Sequence, residues 1–265
     1  MDEEILGCRI FYRYEQRRDA QEPTILLLHG WGCDNSIFSF IESGLSASAS
    51  VLTLDFPGHG KSDEPPQAWG VPQYAEQVMA LLEKLGIKKV RIIAHSFGGR
   101  VAIYIASQNP ALVDKLVITG GAGIRGPVPQ SQQKRQRRYK RYSAALAALA
   151  GIKPLAPAVE AWQAALRNRF GSPDYIKLSE NMRKSFVKII SQNLFPMLRQ
   201  ITTPTLLIWG SADTETPLWM GQQMEQEIPD AGLVIFEGRS HFAFIEEWQR
   251  FLLIVKAFFK EEEGK

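Results

Sequence analysis

Ser96 closes the apolar run Val90-Arg91-Ile92-Ile93-Ala94-His95 and is followed by Phe97-Gly98-Gly99. Val90, Ile92, Ile93 and Ala94 read as a buried strand, and Arg100 to Ala106 opens a helix almost at once. The serine therefore stands at a strand-to-helix elbow. Its hydroxyl projects beyond the end of a sheet, and only residues without bulk fit beside it, hence Gly98 and Gly99. A serine hydroxyl near its ordinary pKa is a poor nucleophile, and needs a histidine to take its proton and a carboxylate to orient that histidine. Two other apolar runs end near such groups. Pro204 to Gly210 is followed by Ser211-Ala212-Asp213, and Leu233 to Phe236 by Glu237-Gly238-Arg239-Ser240-His241. Ser96, His241 and Asp213 are thus the candidate nucleophile, base and orienting carboxylate, with Glu215 the nearest competitor of Asp213. His241 is the only histidine in the C-terminal half.

These groups need strands to hold them. Gly7 to Tyr14 alternates as an edge strand does, and Arg17 to Pro23 is a polar turn. Thr24 to Leu28 and Val51 to Leu54 are short apolar β-prone runs, ending in His29-Gly30-Trp31-Gly32 and in Asp55-Phe56-Pro57-Gly58-His59-Gly60. Tyr74, Val78, Leu81, Leu82 and Leu85 have helical spacing, and Gly86 follows as a C-cap. The elbow strand, its helix to about Asn109 and a strand over Leu116 to Thr119 come next. Such alternation implies a mostly parallel, doubly wound α/β sheet covered on both faces.

After Gly120-Gly121 the pattern turns to helix alone. Tyr139, Tyr142, Leu146 and Leu149 form one stripe ended by Gly151; Val159, Trp162, Leu166 and Phe170 a second ended by Gly171; and Met182, Phe186, Ile189 and Ile190 a third. This segment reads as a helical cap inserted after the sixth strand, over 123–200, dividing an α/β core into 1–122 and 201–265. The α/β rhythm then resumes, and the closing helix carries Trp248, Phe251, Leu252, Val255, Phe258 and Phe259 before Glu261-Glu262-Glu263.

The 265 residues are 45% hydrophobic and 22% charged, the balance of a globular domain with a large core. No apolar run approaches the roughly 18 residues of a membrane span, and Met1-Asp2-Glu3-Glu4 is acidic where a leader is basic; a cytoplasmic location is expected. Cys8 and Cys33 make no ligand-like pair and read as reduced thiols. The net charge of +3 is uneven: Gly123 to Arg199 holds 15 Lys and Arg against Glu160, Asp174 and Glu180. Lys134-Arg135-Gln136-Arg137-Arg138-Tyr139-Lys140-Arg141 is its densest part, read either as a solvated helix face or as an attractor of anionic partners. The acidic remainder and the lack of a reading motif argue against nucleic acid.

The chain order Ser96, Asp213, His241, together with His29-Gly30-Trp31-Gly32, Asp55 to Gly60, the elbow, Gly210 to Asp213 and Ser240-His241, resembles the cap-bearing serine members of the α/β-hydrolase superfamily over nearly its whole length. Ala94 departs from the glycine most frequent there. The resemblance implies an oxyanion hole made by the backbone N–H groups of Trp31 and Phe97, and no metal or organic cofactor. It implies cleavage of a small or medium carboxylic ester through an acyl-enzyme; an anionic or carrier-bound acyl group stays open. Dehalogenases and epoxide hydrolases of this fold carry aspartate at the elbow, which Ser96 excludes. Carbon-carbon hydrolysis of dienoic ring-fission products, and a low-turnover ligand-binding protein on the same fold, are the alternatives. His29, His59 and His95 read as structural, Asp34 and Asp63 as solvated turn residues, and Trp31 as a pocket candidate.

Overall fold

The computed structural model describes residues 1–17, 23–126, 130–149, 157–159, 161–163, 165 and 173–260. Among them lie eight strands: β1 (Asp2–Ile5), β2 (Cys8–Glu15), β3 (Thr24–Leu28), β4 (Val51–Leu54), β5 (Val90–His95), β6 (Val113–Thr119), β7 (Thr205–Gly210) and β8 (Ala231–Phe236). They form one sheet in the order β1-β2-β4-β3-β5-β6-β7-β8. The pairings β1–β2 and β2–β4 are antiparallel and all others parallel. The strand expected from Gly7 is not the edge, because the acidic start folds back as β1 across Leu6 and Gly7, both at positive φ, and takes the edge instead. Its largely exposed Asp2 and Glu4 suit a strand with one unpaired side.

The parallel strands are apolar on both faces because both are covered. Leu26, Leu28, Ile92 and Ala94 join one core with α2 (Val71–Lys84) and α3 (Phe97–Gln108). Ile25, Leu27 and Ile93 face the other, with α1 (Ser39–Ser46) and Phe251, Val255 and Phe259 of the closing helix. The chain divides into two compact units, Met1–Arg125 with Lys184–Lys265, and Gly126–Arg183. The first holds the whole sheet. The second contains α4 (Gln130–Leu149) and α5 (Pro173–Lys177), and α6 (Glu180–Ser191) begins in it. Tyr142 and Trp162, both expected on packed stripes, are half exposed at 50% and 52%. Gly151, Leu166, Phe170, Gly171, Glu160 and Glu261 to Glu263 lie outside the described residues, as does most of the turn before Pro23. No helix among the described residues is long and apolar enough to cross a membrane.

The start of α3 packs directly against the backbone at the end of β3. A Cβ on Gly98 would stand 2.2 Å from the Leu28 carbonyl oxygen and 2.9 Å from that of His29, both backbone atoms that cannot step aside. Gly98→Ala is therefore expected to destabilise the fold by about 3 kcal/mol or more through overpacking and backbone displacement. Gly232→Ala, whose Cβ meets nothing within 4 Å, leaves the thermal midpoint nearly unchanged. Equal melting temperatures for the two variants would refute this account of α3 docking.

Candidate active site

Ser96 has φ 52° and ψ −109°, a left-handed conformation that an L-residue holds only under constraint from its surroundings. Here the surroundings supply it. The Ser96 N–H donates to the Thr119 carbonyl (3.2 Å), and the Ser96 carbonyl accepts from Gly99 (3.0 Å) and Ala122 (3.1 Å). The Gly98 N–H donates to the His29 carbonyl (3.0 Å), which ties the elbow to the loop after β3. A Cβ on Gly30 would lie 3.3 Å from Ser96 Cβ, so the Gly30-Trp31 backbone runs directly beside the serine. The backbone N–H groups of Trp31 and Phe97 have no hydrogen-bond partner among the described residues, and Phe97 is the first residue of α3. Two free donors thus flank Ser96, one of them at the positive end of a helix.

The other two candidates meet each other. His241 Nδ1 lies 2.8 Å from Asp213 Oδ2. This contact assigns the proton to Nδ1 and leaves the Nε2 lone pair free. Asp213 Oδ1 accepts from the backbone N–H groups of Glu215 and Thr216, each at 2.9 Å, so the carboxylate is fixed by its own loop. Burial works against its charged form, but the hydrogen bonds from His241 and Thr216 outweigh it and hold the carboxyl below the ordinary carboxylate range. Glu215 supplies only its backbone N–H here. No hydrogen bond joins the Ser96 hydroxyl to His241, but the groups are neighbours. The His95 and His241 rings are 4.7 Å apart, and a Cβ on Gly120, the residue after Thr119, would sit 3.1 Å from His241 Nδ1. A gap between serine and histidine is common before substrate binds.

Two contributors were not read from the sequence. The Thr216 hydroxyl stands 2.9 Å from Asp213 Oδ2, 3.2 Å from His241 Nδ1 and 2.9 Å from the Gly120 carbonyl. The Trp209 indole N–H donates to the Thr216 carbonyl at 2.7 Å and locks the residue in place. Its only sequence signal is its place between Asp213 and Pro217. The second is Asp55, whose buried carboxylate accepts from the N–H groups of Asn35 (2.7 Å) and Lys61 (2.9 Å) and joins the loops after β3 and β4. Asp34 is a cap rather than a free turn residue, since its carboxylate accepts from the Ser36 N–H.

The remaining histidines are structural and uncharged. His29 Nδ1 donates to the Gly30 carbonyl (2.7 Å) and Nε2 accepts from the Phe56 N–H (2.9 Å). His59 meets Trp31 edge-on at 4.6 Å, and Trp31 also touches Phe97 and Phe186. His95 Nδ1 donates to the Thr119 carbonyl, while Nε2 has no partner. Burial pushes the pKa of His29 down to about 4 and those of His59 and His95 to about 3. Cys8 and Cys33 are free thiols.

With this geometry in place, comparison with known proteins assigns the family. Residues 23–247 match the model of the alpha/beta hydrolase fold, and the chain belongs to that family. An uncharacterized protein of Mycobacterium tuberculosis is 28% identical over 95% of this chain and 80% of its own length. A 2-hydroxy-6-oxononadienedioate/2-hydroxy-6-oxononatrienedioate hydrolase of a Pseudomonas species is 30% identical over 89% of this chain and 88% of its own. Among solved structures, an enol-lactonase from Burkholderia xenovorans superposes with TM-score 0.75 at 23% identity, over 98% of this chain and all of its own.

The neutral histidines make stability depend on pH. Their unfolded pKa is near 6.5 and their folded values lie lower, so the unfolded chain binds protons first as pH falls. The stability they contribute is complete above about pH 6.5 and is lost progressively toward pH 4 and 3, about 1–2 kcal/mol per histidine at pH 5. Urea unfolding at stepped pH is expected to show this decline, and His59→Phe to reduce its slope by about 1.4 kcal/mol per pH unit. An unchanged slope in the variant would mean that His59 is not buried neutral.

Proposed function

We propose that this hydrolase cleaves small or medium carboxylic esters, lactones included, through a Ser96-His241-Asp213 triad. The observation that carries the reading is the fixed Asp213–His241 pair, set at the ends of β7 and β8 beside a serine held at positive φ at the end of β5. In this reading Ser96 Oγ attacks the ester carbonyl as His241 Nε2 takes its proton, and Asp213 stabilises the imidazolium that forms. The tetrahedral oxyanion lies between the N–H groups of Trp31 and Phe97, each worth about 10²- to 10³-fold in rate. Collapse expels the alcohol, which takes the proton from His241, and water repeats the sequence on the acyl-enzyme. The Thr216 hydroxyl fixes the angle between carboxylate and imidazole. No step calls for a metal or cofactor.

The acyl group is read as neutral and apolar. Trp31, which follows the Gly30 backbone beside Ser96, meets both Phe97 and Phe186, and Trp31 and Phe186 are only half-buried. Apolar, half-buried side chains of this kind suit hydrocarbon better than a dicarboxylate. The proposed cap is 123–200, between core parts 1–122 and 201–265, and a small-molecule substrate is the only partner this chemistry requires. The free thiols fit the reducing cytoplasm, where we place the protein. The second reading, carbon-carbon hydrolysis of a dienoic diacid, is supported by the Pseudomonas relative.

The discriminating assay is p-nitrophenyl ester hydrolysis from acetate to octanoate beside consumption of a coloured dienol ring-fission product. Ester turnover with one preferred chain length, abolished in Ser96→Ala, is expected. Turnover of the dienol alone would overturn the ester reading in favour of the second. Thr216→Val is expected to lower kcat about tenfold with little change in KM, and Thr216→Ser to restore it. A Val variant with full kcat would remove the hydroxyl from the mechanism.

A further inference from the structure

Along α4, Lys134, Arg137, Arg138 and Arg141 occupy positions i, i+3, i+4 and i+7, which places them in one row on one helical face. All four are exposed, and none has an ion-pair or hydrogen-bond partner among the described residues. The helix holds no Asp or Glu that could neutralise them from a neighbouring turn. Like charges at these spacings repel and weaken an isolated helix. An opposing anionic surface relieves that repulsion.

The rest of the helix indicates which anionic surface. Tyr142, one turn beyond Arg138, is 50% exposed, and Ala144, Ala145 and Ala148 continue outward as uncharged, unobstructed helix. Trp162 of the same compact unit is 52% exposed. Cations bind headgroup phosphates, while Tyr and Trp settle at the boundary between headgroup and acyl chain; a helix with both is suited to a lipid interface. A nucleic acid is disfavoured by the lack of a reading motif and by the charge of the remaining chain. Here the basic charge is concentrated in Gly126–Arg183, with 11 Lys and Arg against three acids, and the remainder of the chain is net negative. We propose that the exposed face of α4 docks the protein peripherally on bilayers that carry anionic headgroups. The docking adds to the proposed hydrolysis and does not depend on it.

The test is co-sedimentation of the full chain with phosphatidylcholine vesicles, with and without phosphatidylglycerol, at low and high salt. Binding is expected only with phosphatidylglycerol and is expected to fade as salt shortens the reach of surface charge. Arg137→Gln combined with Arg138→Gln should weaken the partition about thirtyfold. Tyr142→Ala should weaken it by a smaller factor that salt does not alter. Both variants should keep the parent's melting temperature and ester turnover. Equal binding to both vesicle types, no binding at low salt, or unchanged binding by the double variant would each overturn the proposal. So would retention on single-stranded RNA with none on vesicles, which would give the row to a polyanion instead.

Discussion

The site depends on one strained residue. Ser96 leaves β5 at positive φ, and the chain must turn there without adding bulk, because α3 starts against the backbone of β3. The strain is compensated locally. Thr119, Gly99 and Ala122 take up the Ser96 peptide groups, and Gly98 anchors to His29. That last bond has a second effect. It aligns the loop of Gly30 and Trp31 with the first turn of α3, so a single turn geometry sets both the serine and the two unpaired N–H donors beside it.

Around this turn, several polar groups are buried either in neutral form or with their charge met by backbone amides. Three histidines serve as neutral hydrogen-bonding and stacking units. Asp55 and Asp213 stay buried because backbone amides converge on them. The energetic logic is that of desolvation, where an unpaired buried charge costs more than any local contact returns. His241, only partly buried, differs from the other three: it alone is hydrogen-bonded to a carboxylate.

Much of this was legible in the primary structure. The alternation of apolar runs and helical spacings gave the parallel sheet, and turn residues at strand ends gave the loops that carry Ser96, Asp213 and His241. Strand β1 escaped because Asp2-Glu3-Glu4 has no apolar alternation; it pairs along its backbone while its side chains stay largely in water. Thr216 escaped because threonine before proline is common in loops, and two of its three contacts, to Gly120 and His241, exist only once β6, β7 and β8 are side by side. Helix periodicity located α4, yet it cannot tell a stripe that packs from one that stays exposed, as Tyr142 shows.

The division of the sheet-bearing unit into Met1–Arg125 and Lys184–Lys265 has a consequence for how the protein is made and how it varies. During synthesis the elbow emerges well before the strands that precede Asp213 and His241, so Ser96, Asp213 and His241 come together only when β7 and β8 have joined the sheet. Closing the intervening loop carries an entropic penalty that grows only logarithmically, about 0.6 kcal/mol per doubling of length. Insertions between β6 and β7 can therefore lengthen or shorten with little effect on the core, which leaves this segment free to diversify in sequence while the turn at Ser96 stays fixed.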